Sequence, residues 1–219
     1  MSLTLYFHPL SSFCQKALIA LYENDTPFTP HLVDLMDEKS AAEFRAIWPI
    51  GKFPVLRDER RNRLVPETSV IVEYLDRHYP GCTRFIPTDD DIASQMRVFD
   101  RLFDLYVNLQ VQKIVFNRLR PAEARDPLGD DEARAMLGKA LGVAETQIAG
   151  KTWIVGEDFS MADCAAAPAL FYADKIAPFA ESHPQTHAYL QRLMQRPSYA
   201  RVLAEAKPYL HMFPQDDAA

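Results

Sequence analysis

Two adjacent serines lie where the first predicted strand gives way to the first predicted helix. Leu3–Phe7 alternates side chains as a half-buried strand does, Pro9 breaks the strand, and apolar residues recur at helical spacing from Phe13 onward. Ser11 and Ser12 therefore stand at a helix N-terminus, where free backbone amides favour an anion such as a thiolate. A serine at this position is also a common helix N-cap. The position alone leaves both roles open.

The segment Ser11-Ser12-Phe13-Cys14 resembles the C-x-x-C redox motif of thioredoxin-fold proteins, with serine in place of the first cysteine. Thiol–disulfide exchange needs an exposed thiolate at that first position. A hydroxyl group there can only donate a hydrogen bond to the sulfur of another molecule. We expect Cys14 to pack inward as a small apolar residue. The motif therefore predicts activation of a bound thiol and disfavours a disulfide reductase.

A second motif is Gly51-Lys52-Phe53-Pro54-Val55-Leu56, which is similar to the G-x-x-P-x-L segment of the glutathione transferase family. The family's proline follows a cis peptide bond, whereas an arbitrary X-Pro bond is cis only about 5 to 6% of the time. The resemblance implies that the backbone of Phe53 pairs with the cysteinyl unit of glutathione as a strand edge would. Lys52, Phe53 and Pro54 are thus expected to contact glutathione.

A third motif, Glu67-Thr68-Ser69-Val70-Ile71 followed by Tyr74-Leu75, resembles the family's E-S-x-A-I-x-x-Y-L, with threonine in place of the usual serine. In the family this helix start binds the γ-glutamyl end of glutathione. Glu67 would pair with the ammonium group, while the Thr68 hydroxyl and the helix amides would bind the carboxylate. Taken alone, the two residues also simply favour a helix start.

A fourth motif, from Gly156 to Asp163, resembles the family's N-capping box in its second domain. Ser160 and Asp163 would satisfy each other's free amides, with Phe159 as a hydrophobic staple. The four motifs occur in the family's order along nearly the whole chain. The class within the family stays open, because Ser11 matches the catalytic serine of delta-like and zeta-like members, whereas Ser12 falls where bacterial beta-like members have a cysteine. We favour Ser11, with Ser12 as the second choice.

The elements around these motifs predict two domains. Residues 1–79 read as βαβ-ββα, with the second strand expected over about residues 28–35, and the resemblance implies that they form a thioredoxin-like domain with a mixed four-stranded sheet. Residues 80–91 read as a linker, and residues 92–219 as an all-helical bundle. Helices are predicted at about 92–119, 131–149, 162–176, 184–195 and 198–206.

The resemblance implies an electrophile pocket between the domains, against the turn after the first strand and the inner face of the first long helix. Leu10, Phe103, Tyr106 and Phe116 are the candidate lining residues. Aromatic residues at helical spacing also commonly pack in a core. Lys113 and Arg118 could steer an acidic substrate or belong to a solvated helix face.

The composition narrows the function further. The chain has 219 residues, is 48% hydrophobic and carries a formal net charge of −6, which disfavours general affinity for nucleic acid or anionic lipid. It contains no apolar run long enough to span a bilayer and no charged leader, so a cytoplasmic location is expected. The odd, scattered set Cys14, Cys82 and Cys164 suggests neither a disulfide framework nor a metal site, and all three are expected to be reduced.

The predicted function is conjugation of the glutathione thiolate to apolar electrophiles, with glutathione as co-substrate and no metal. The resemblance also implies a homodimer. Glutathione-dependent peroxide reduction, dehalogenation or isomerisation would use the same thiolate and differ in the second pocket. Because fold does not fix function, a non-catalytic binding or regulatory protein is a further alternative. Retention of Ser11, Phe53-Pro54 and Glu67-Thr68 argues against that alternative.

Overall fold

The computed structural model describes residues 2–214 and has the predicted βαβ-ββα order in its first part. The strands are β1 (Leu3–Phe7), β2 (Thr29–Leu32), β3 (Val55–Asp58) and β4 (Arg63–Pro66), and the helices are α1 (Ser12–Glu23), α2 (Glu38–Ile47) and α3 (Thr68–His78). The strand order is β2-β1-β3-β4, with β1 parallel to β2 and antiparallel to β3, and with β3 antiparallel to β4. The sheet is therefore mixed and four-stranded, as predicted.

The alternation in β1 places the sheet against α1. Leu3, Leu5 and Phe7 are buried, while the residues between them are half-buried. Strand β2 is fully exposed and shorter than the predicted 28–35, and it carries Pro30 opposite Leu5. A proline is tolerated there because β2 is an edge strand, on which a ladder hydrogen bond can be lost.

The second part of the chain is helical. Its helices are α4 (Asp90–Arg101), α5 (Leu109–Arg118), α6 (Pro127–Ile148), α7 (Met161–Ile176), α8 (Pro184–Gln195) and α9 (Pro197–Ala206), with short 3-10 helices at Ala122–Ala124 and Lys207–Met212. Helix α7 is buried around most of its circumference and packs against α1, α4 and the segment after α4. A helix that is apolar on nearly all sides belongs in the centre of a core. Within residues 2–214, no helix has both the length and the apolar character that a membrane span requires.

The prediction of a single α-helix over residues 92–119 is wrong in the middle of that range. Leu102–Asn108 forms a π-helical segment between α4 and α5, and the amide of Leu109 donates to the carbonyl of Asp104, five residues earlier. Helix α6 also begins earlier than the predicted residue 131, because Asp126 caps it by accepting a hydrogen bond from the Gly129 amide at 2.9 Å.

The capping box at the start of α7 is confirmed. The Ser160 amide and hydroxyl both donate to Asp163 Oδ2 at 2.8 Å, and Asp163 is fully buried. Phe159 is buried and packs edge-to-face on Trp153, with the ring centroids 5.1 Å apart. The start of the central helix is therefore fixed by local contacts.

Candidate functional site

A cavity of about 280 Å³ lies between the first turn of α1 and the inner face of α5. Its α1 side is formed by the turn after β1, the two serines and Phe53. Its opposite side is formed by α5 and by residues 212–214 near the end of the described chain. Leu10, Ser11, Ser12, Val111, Val115 and Phe116 are among the lining residues. The cavity is mainly apolar, with a few polar groups on its α1 side and on its α5 side.

Ser11 is the N-cap of α1. Its Oγ accepts a hydrogen bond from the Cys14 amide at 3.4 Å, which leaves the hydroxyl proton free to donate to another group. Ser12, the next residue, is 7% exposed, and its hydroxyl has no hydrogen-bond partner among residues 2–214. The first turn of α1 contains no acidic residue that would neutralise its positive end. Both predicted serines thus line the cavity at a helix N-terminus.

The turn that carries Ser11 is anchored by buried hydrogen bonds to α1 and α7. Gln15 Nε2 donates to the carbonyl of Pro9 at 2.9 Å and to the Tyr172 hydroxyl at 3.0 Å. Tyr172 in turn donates to the carbonyl of Leu10 at 2.7 Å. These contacts hold the backbone before Ser11 in one position, as a precisely oriented donor requires.

His8 also lines the cavity at the end of β1. Its Nδ1 accepts a hydrogen bond from the Leu10 amide at 3.2 Å, so the neutral ring carries its proton on Nε2. Burial lowers the pKa of His8, and the more distant Asp34 opposes this effect. The ring is therefore neutral near pH 7 and contributes a donor and no charge.

Cys14 does not resemble a redox cysteine. It is fully buried, and burial raises the pKa of its thiol to about 12, so the thiolate needed for disulfide exchange does not form at neutral pH. Cys164 is likewise buried, whereas Cys82 is exposed in the segment between α3 and α4. Within residues 2–214, no three His, Cys, Asp or Glu side chains are grouped so that they could hold a metal ion.

The Phe53-Pro54 peptide bond is cis, as the motif predicts. Phe53 lines the cavity beside the serines, and Pro54 is buried behind it. Lys52 is exposed next to them. This segment therefore borders the same cavity as the start of α1.

The start of α3 carries the other two predicted glutathione-binding residues. Glu67 is exposed and has φ of 68° and ψ of 120°, a conformation that is uncommon for a residue with a side chain. Thr68 is 6% exposed and begins the helix. A strained backbone that persists at a helix start is typical of functional sites.

A buried group of charges joins α1 to the start of α3 and to the helices after it. Lys16 is 1% exposed, and its Nζ lies 2.5 Å from Asp100 Oδ1, 2.8 Å from Asp104 Oδ2 and 2.9 Å from Ser69 Oγ. Arg101 lies on the solvent side of these carboxylates. Its Nη2 is 2.6 Å from Asp100 Oδ2 and 2.7 Å from Asp104 Oδ2. Burial raises the pKa of Asp104, and the charge of Lys16 opposes that rise.

The predicted electrophile residues separate into two groups. Leu10 and Phe116 line the cavity, whereas the structure does not bring Phe103 or Tyr106 to it. Phe103 is fully buried among the helices, and Tyr106 is 48% exposed elsewhere on the surface. Both lie in the π-helical segment, whose wider turn changes which side chains share a face.

The two predicted cationic side chains near the cavity have neighbours in the chain. Lys113 donates to the side chain of Gln110 at 3.1 Å on the surface of α5. Arg118 donates to the carbonyl of Pro214 at 3.4 Å, at the rim of the cavity. These contacts agree with a helix-face role for Lys113 and link Arg118 to the cavity rim.

Sequence reasoning missed several lining residues. Asn108 and Gln112 face the cavity from the junction of the π-helical segment with α5. Phe213 also lines it and stacks on Tyr172, with ring centroids 5.2 Å apart. The spacing of Asn108 and Gln112, four apart in an apolar helix, is a sequence signal that could have revealed the first pair. No comparable local signal points to Phe213.

Comparisons with known proteins agree with this geometry. The glutathione S-transferase N-terminal domain matches residues 5–83, and the glutathione S-transferase C-terminal domain matches residues 110–197. The glutathione S-transferase-like protein LUC7 of a Fusarium species is 30% identical over 148 residues, which cover 68% of this chain and 64% of that protein. Glutathione S-transferase GstB of Escherichia coli (strain K12) is 24% identical over 203 residues, covering 92% and 97% of the two chains.

A solved glutathione S-transferase from Methylobacillus flagellatus KT, with glutathione bound, has the same fold. It superposes with a TM-score of 0.84 at 24% identity, covering 92% of this chain and 98% of that one. Both domains, in the expected order, are therefore matched by sequence and by structure. The chain belongs to the glutathione S-transferase family.

Proposed function

We propose that this protein is a glutathione transferase in which Ser11 donates a hydrogen bond to the sulfur of bound glutathione. The observation that carries the proposal is the position of Ser11 at the N-terminus of α1, on the wall of an apolar cavity. The thiol proton is released to solvent, and the thiolate forms a carbon–sulfur bond with the electrophile. In a substitution the leaving group departs with the electron pair of the carbon bond that breaks; in an addition the displaced π pair moves onto the electrophile, which is then protonated by solvent.

The available interactions are large enough for this role. A free thiol has a pKa near 8.5, and lowering it by about 2 units requires roughly 3 kcal/mol of preference for the thiolate. A hydrogen bond to an anion contributes about 1.5 to 3 kcal/mol. The N-terminus of a helix adds roughly 0.3 to 2 kcal/mol. A hydroxyl and the α1 terminus acting together therefore suffice, whereas either alone falls at or below the requirement.

Glutathione would bind along the border of the cavity. In this proposal the backbone of Phe53 pairs with the cysteinyl unit, with Lys52 and Pro54 beside it. Glu67 binds the ammonium group and Thr68 the carboxylate of the γ-glutamyl unit. Support comes from the cavity position of Phe53 and from the unusual backbone of Glu67 at the start of α3.

The electrophile would occupy the apolar part of the cavity. Leu10 and Phe116 are its proposed contacts, together with Val111 and Val115. A cavity of about 280 Å³ is close to the lower end of the usual range for small-molecule sites. The proposed second substrate is therefore a compact molecule with a mainly apolar body.

The test is a titration of the purified protein with glutathione at neutral pH, followed by the ultraviolet absorbance of the thiolate. We expect the thiolate band in the wild type and its loss in Ser11→Ala, with glutathione affinity changed by less than about threefold. Loss of 1.5 to 3 kcal/mol of thiolate stabilisation would lower turnover by about 10- to 150-fold. Ser12→Ala tests the second choice, and Ser94→Ala, on the exposed surface of α4, is the matched control.

The same titration separates the main alternatives. If Ser12→Ala removes the band and Ser11→Ala does not, the catalytic hydroxyl is Ser12. If glutathione binds without ionising, the protein is a binding or regulatory module. If the thiolate forms, rates with halides, hydroperoxides and isomerisable double bonds distinguish conjugation from dehalogenation, peroxide reduction and isomerisation.

A homodimer is part of the proposal. Val70 on α3, Val98 on α4 and Leu105 in the π-helical segment are large apolar side chains with substantial exposure. Helices α3 and α4 are neighbours here, because Arg97 lies 3.3 Å from Glu73. Exposed apolar side chains on adjacent helices favour a protein contact. Sedimentation equilibrium would measure the mass in solution.

The cytoplasmic location stays a prediction.

A further inference from the structure

One polar side chain in the cavity has no partner in the protein. Asn108 is 3% exposed and lines the cavity, yet its Oδ1 makes no hydrogen bond to any group within residues 2–214. Buried side-chain polar atoms nearly always have a partner, so an exception calls for an explanation. Because this side chain lines the cavity, a molecule that enters the cavity can supply the missing partner.

The π-helical segment determines where this amide lies. Asn108 is its last residue, and the π-type hydrogen bond from Leu109 to Asp104 closes the wide turn just after it. Gln112 follows four residues later and lines the same cavity, as residues at that spacing share a helix face. Two amide side chains thus lie one above the other on the wall opposite the serines.

A neighbouring amide on another face of the helix is paired within the protein. Gln110 is also buried, at 7% exposure. Its Nε2 donates to the carbonyl of Leu105 at 3.0 Å, and its Oε1 accepts from Lys113 at 3.1 Å. The side chain of Gln110 is therefore paired within the protein, whereas Asn108 lines the cavity and its Oδ1 is unpaired within residues 2–214.

We propose that Asn108 determines the specificity of the second substrate by hydrogen-bonding an oxygen of that molecule. This inference rests on the proposed function. The substrate class is an electrophile with a compact apolar body that carries a hydroxyl group, because the unpaired Oδ1 of Asn108 is an acceptor and needs a donor. The apolar body contacts Val111, Val115 and Phe116, and the oxygen pairs with the amide of Asn108, with Gln112 as a second contact. A site built to hydrogen-bond a substrate oxygen discriminates against the analogue that lacks it, because its own polar group is then left unpaired.

Water is the other molecule that could pair with Asn108. An ordered water bound there would satisfy the amide without any effect on which ligand binds. A ligand that carries the oxygen itself would displace that water and keep the hydrogen bond. The two cases therefore differ in whether Asn108 contributes to ligand preference.

The test measures binding of conjugates, so it does not depend on turnover. The probes are S-benzylglutathione and its three hydroxybenzyl isomers, titrated calorimetrically into the wild type and into Asn108→Leu. A hydroxyl can both donate and accept, so it pairs with the amide in either orientation. We expect at least one hydroxybenzyl isomer to bind better than S-benzylglutathione. We also expect Asn108→Leu, which has a similar shape, to lower that preference by about tenfold.

Controls make each outcome decisive. Gln110→Leu removes a buried amide from the adjoining helix α5, outside the cavity, and should leave the preference unchanged, whatever it does to stability. If Asn108→Leu folds poorly, Asn108→Ala serves to measure the same preference, the ratio of the affinities for the hydroxybenzyl isomer and for S-benzylglutathione. If none of the conjugates binds the wild type, the proposed function and this inference both fail. If the conjugates bind but neither Asn108 variant changes any isomer's preference by more than twofold, the inference is overturned while the proposed function stands.

Discussion

Replacing Lys16 by methionine is expected to destabilise the protein strongly. The ammonium group lies 2.5 and 2.8 Å from two buried carboxylates, those of Asp100 and Asp104. Removing one partner of a buried ion pair leaves an uncompensated charge and costs about 3 to 5 kcal/mol. For a chain of this size, each kcal/mol lowers the melting temperature by about 2 to 4 °C, so the expected loss is about 6 to 20 °C.

The pH dependence of this loss identifies its origin. Burial raises the pKa of Asp104 and Lys16 opposes that rise, so the pKa rises further when Lys16 is removed. A carboxyl group whose folded pKa exceeds its unfolded value lowers stability fully above the folded pKa. That loss disappears as pH falls below the unfolded value of about 3.9. The difference in stability between the wild type and Lys16→Met should therefore shrink as pH falls.

Urea unfolding at about pH 7.5 and about pH 5 measures both the size and the direction of the effect. The matched control is Lys39→Met, since Lys39 is 85% exposed and its contact with Glu43 at 3.9 Å is a surface pair. Exposed pairs typically contribute about 0.2 to 1 kcal/mol. Combining Lys16→Met with Asp100→Asn and Asp104→Asn should recover part of the loss. A loss below about 1 kcal/mol, or one that grows as pH falls, would refute the electrostatic account.

Two further changes test the strained helix start and the buried cap. Glu67→Gly should raise the free energy of unfolding by about 1 kcal/mol, because relief of the backbone strain at φ of 68° exceeds the entropy cost of glycine, while glutathione affinity falls. Glu67→Gln should lower affinity without the gain, and equal stabilities of the two variants by urea unfolding would contradict the strain argument. Asp163→Asn should cost about 2 to 4 kcal/mol in the same assay, because an amide cannot accept all the hydrogen bonds that reach both carboxylate oxygens from Ile154, Ser160 and the hydroxyl of Tyr189. The exposed Asp158→Asn is its control, and a loss no greater than that of the control would count against the cap.

The sequence predicted the parts of the site that depend on local chain signals. The end of β1, the proline after it and the apolar spacing from Phe13 located the start of α1, and the structure begins that helix at Ser12. Likewise Ser160 and Asp163 are close in sequence, so their mutual capping could be predicted. Strand β1 followed for the same reason, because its side chains alternate between buried and half-buried.

The parts that were missed depend on contacts between distant residues. Gln15 and Tyr172 are 157 positions apart, and their hydrogen bond fixes the turn before the serines. Phe213 reaches the cavity only because the end of the chain returns to Tyr172. Apolar periodicity marks which residues are buried, but it does not say which distant elements they meet. The same limit explains why Phe103 and Tyr106 were expected at a cavity whose lining does not include them.

The π-helical segment connects the two features that the sequence could not reveal. Asp104 and Asn108 both lie in it, four residues apart, and both are buried. Asp104 binds Lys16 in α1, whereas Asn108 lines the cavity opposite the N-terminus of that same helix. One short segment therefore binds α1 through Asp104 and lines the cavity at the N-terminus of α1 through Asn108. A π turn is rare and is frequent at functional sites, and here it carries both a carboxylate that binds Lys16 and an amide that lines the cavity.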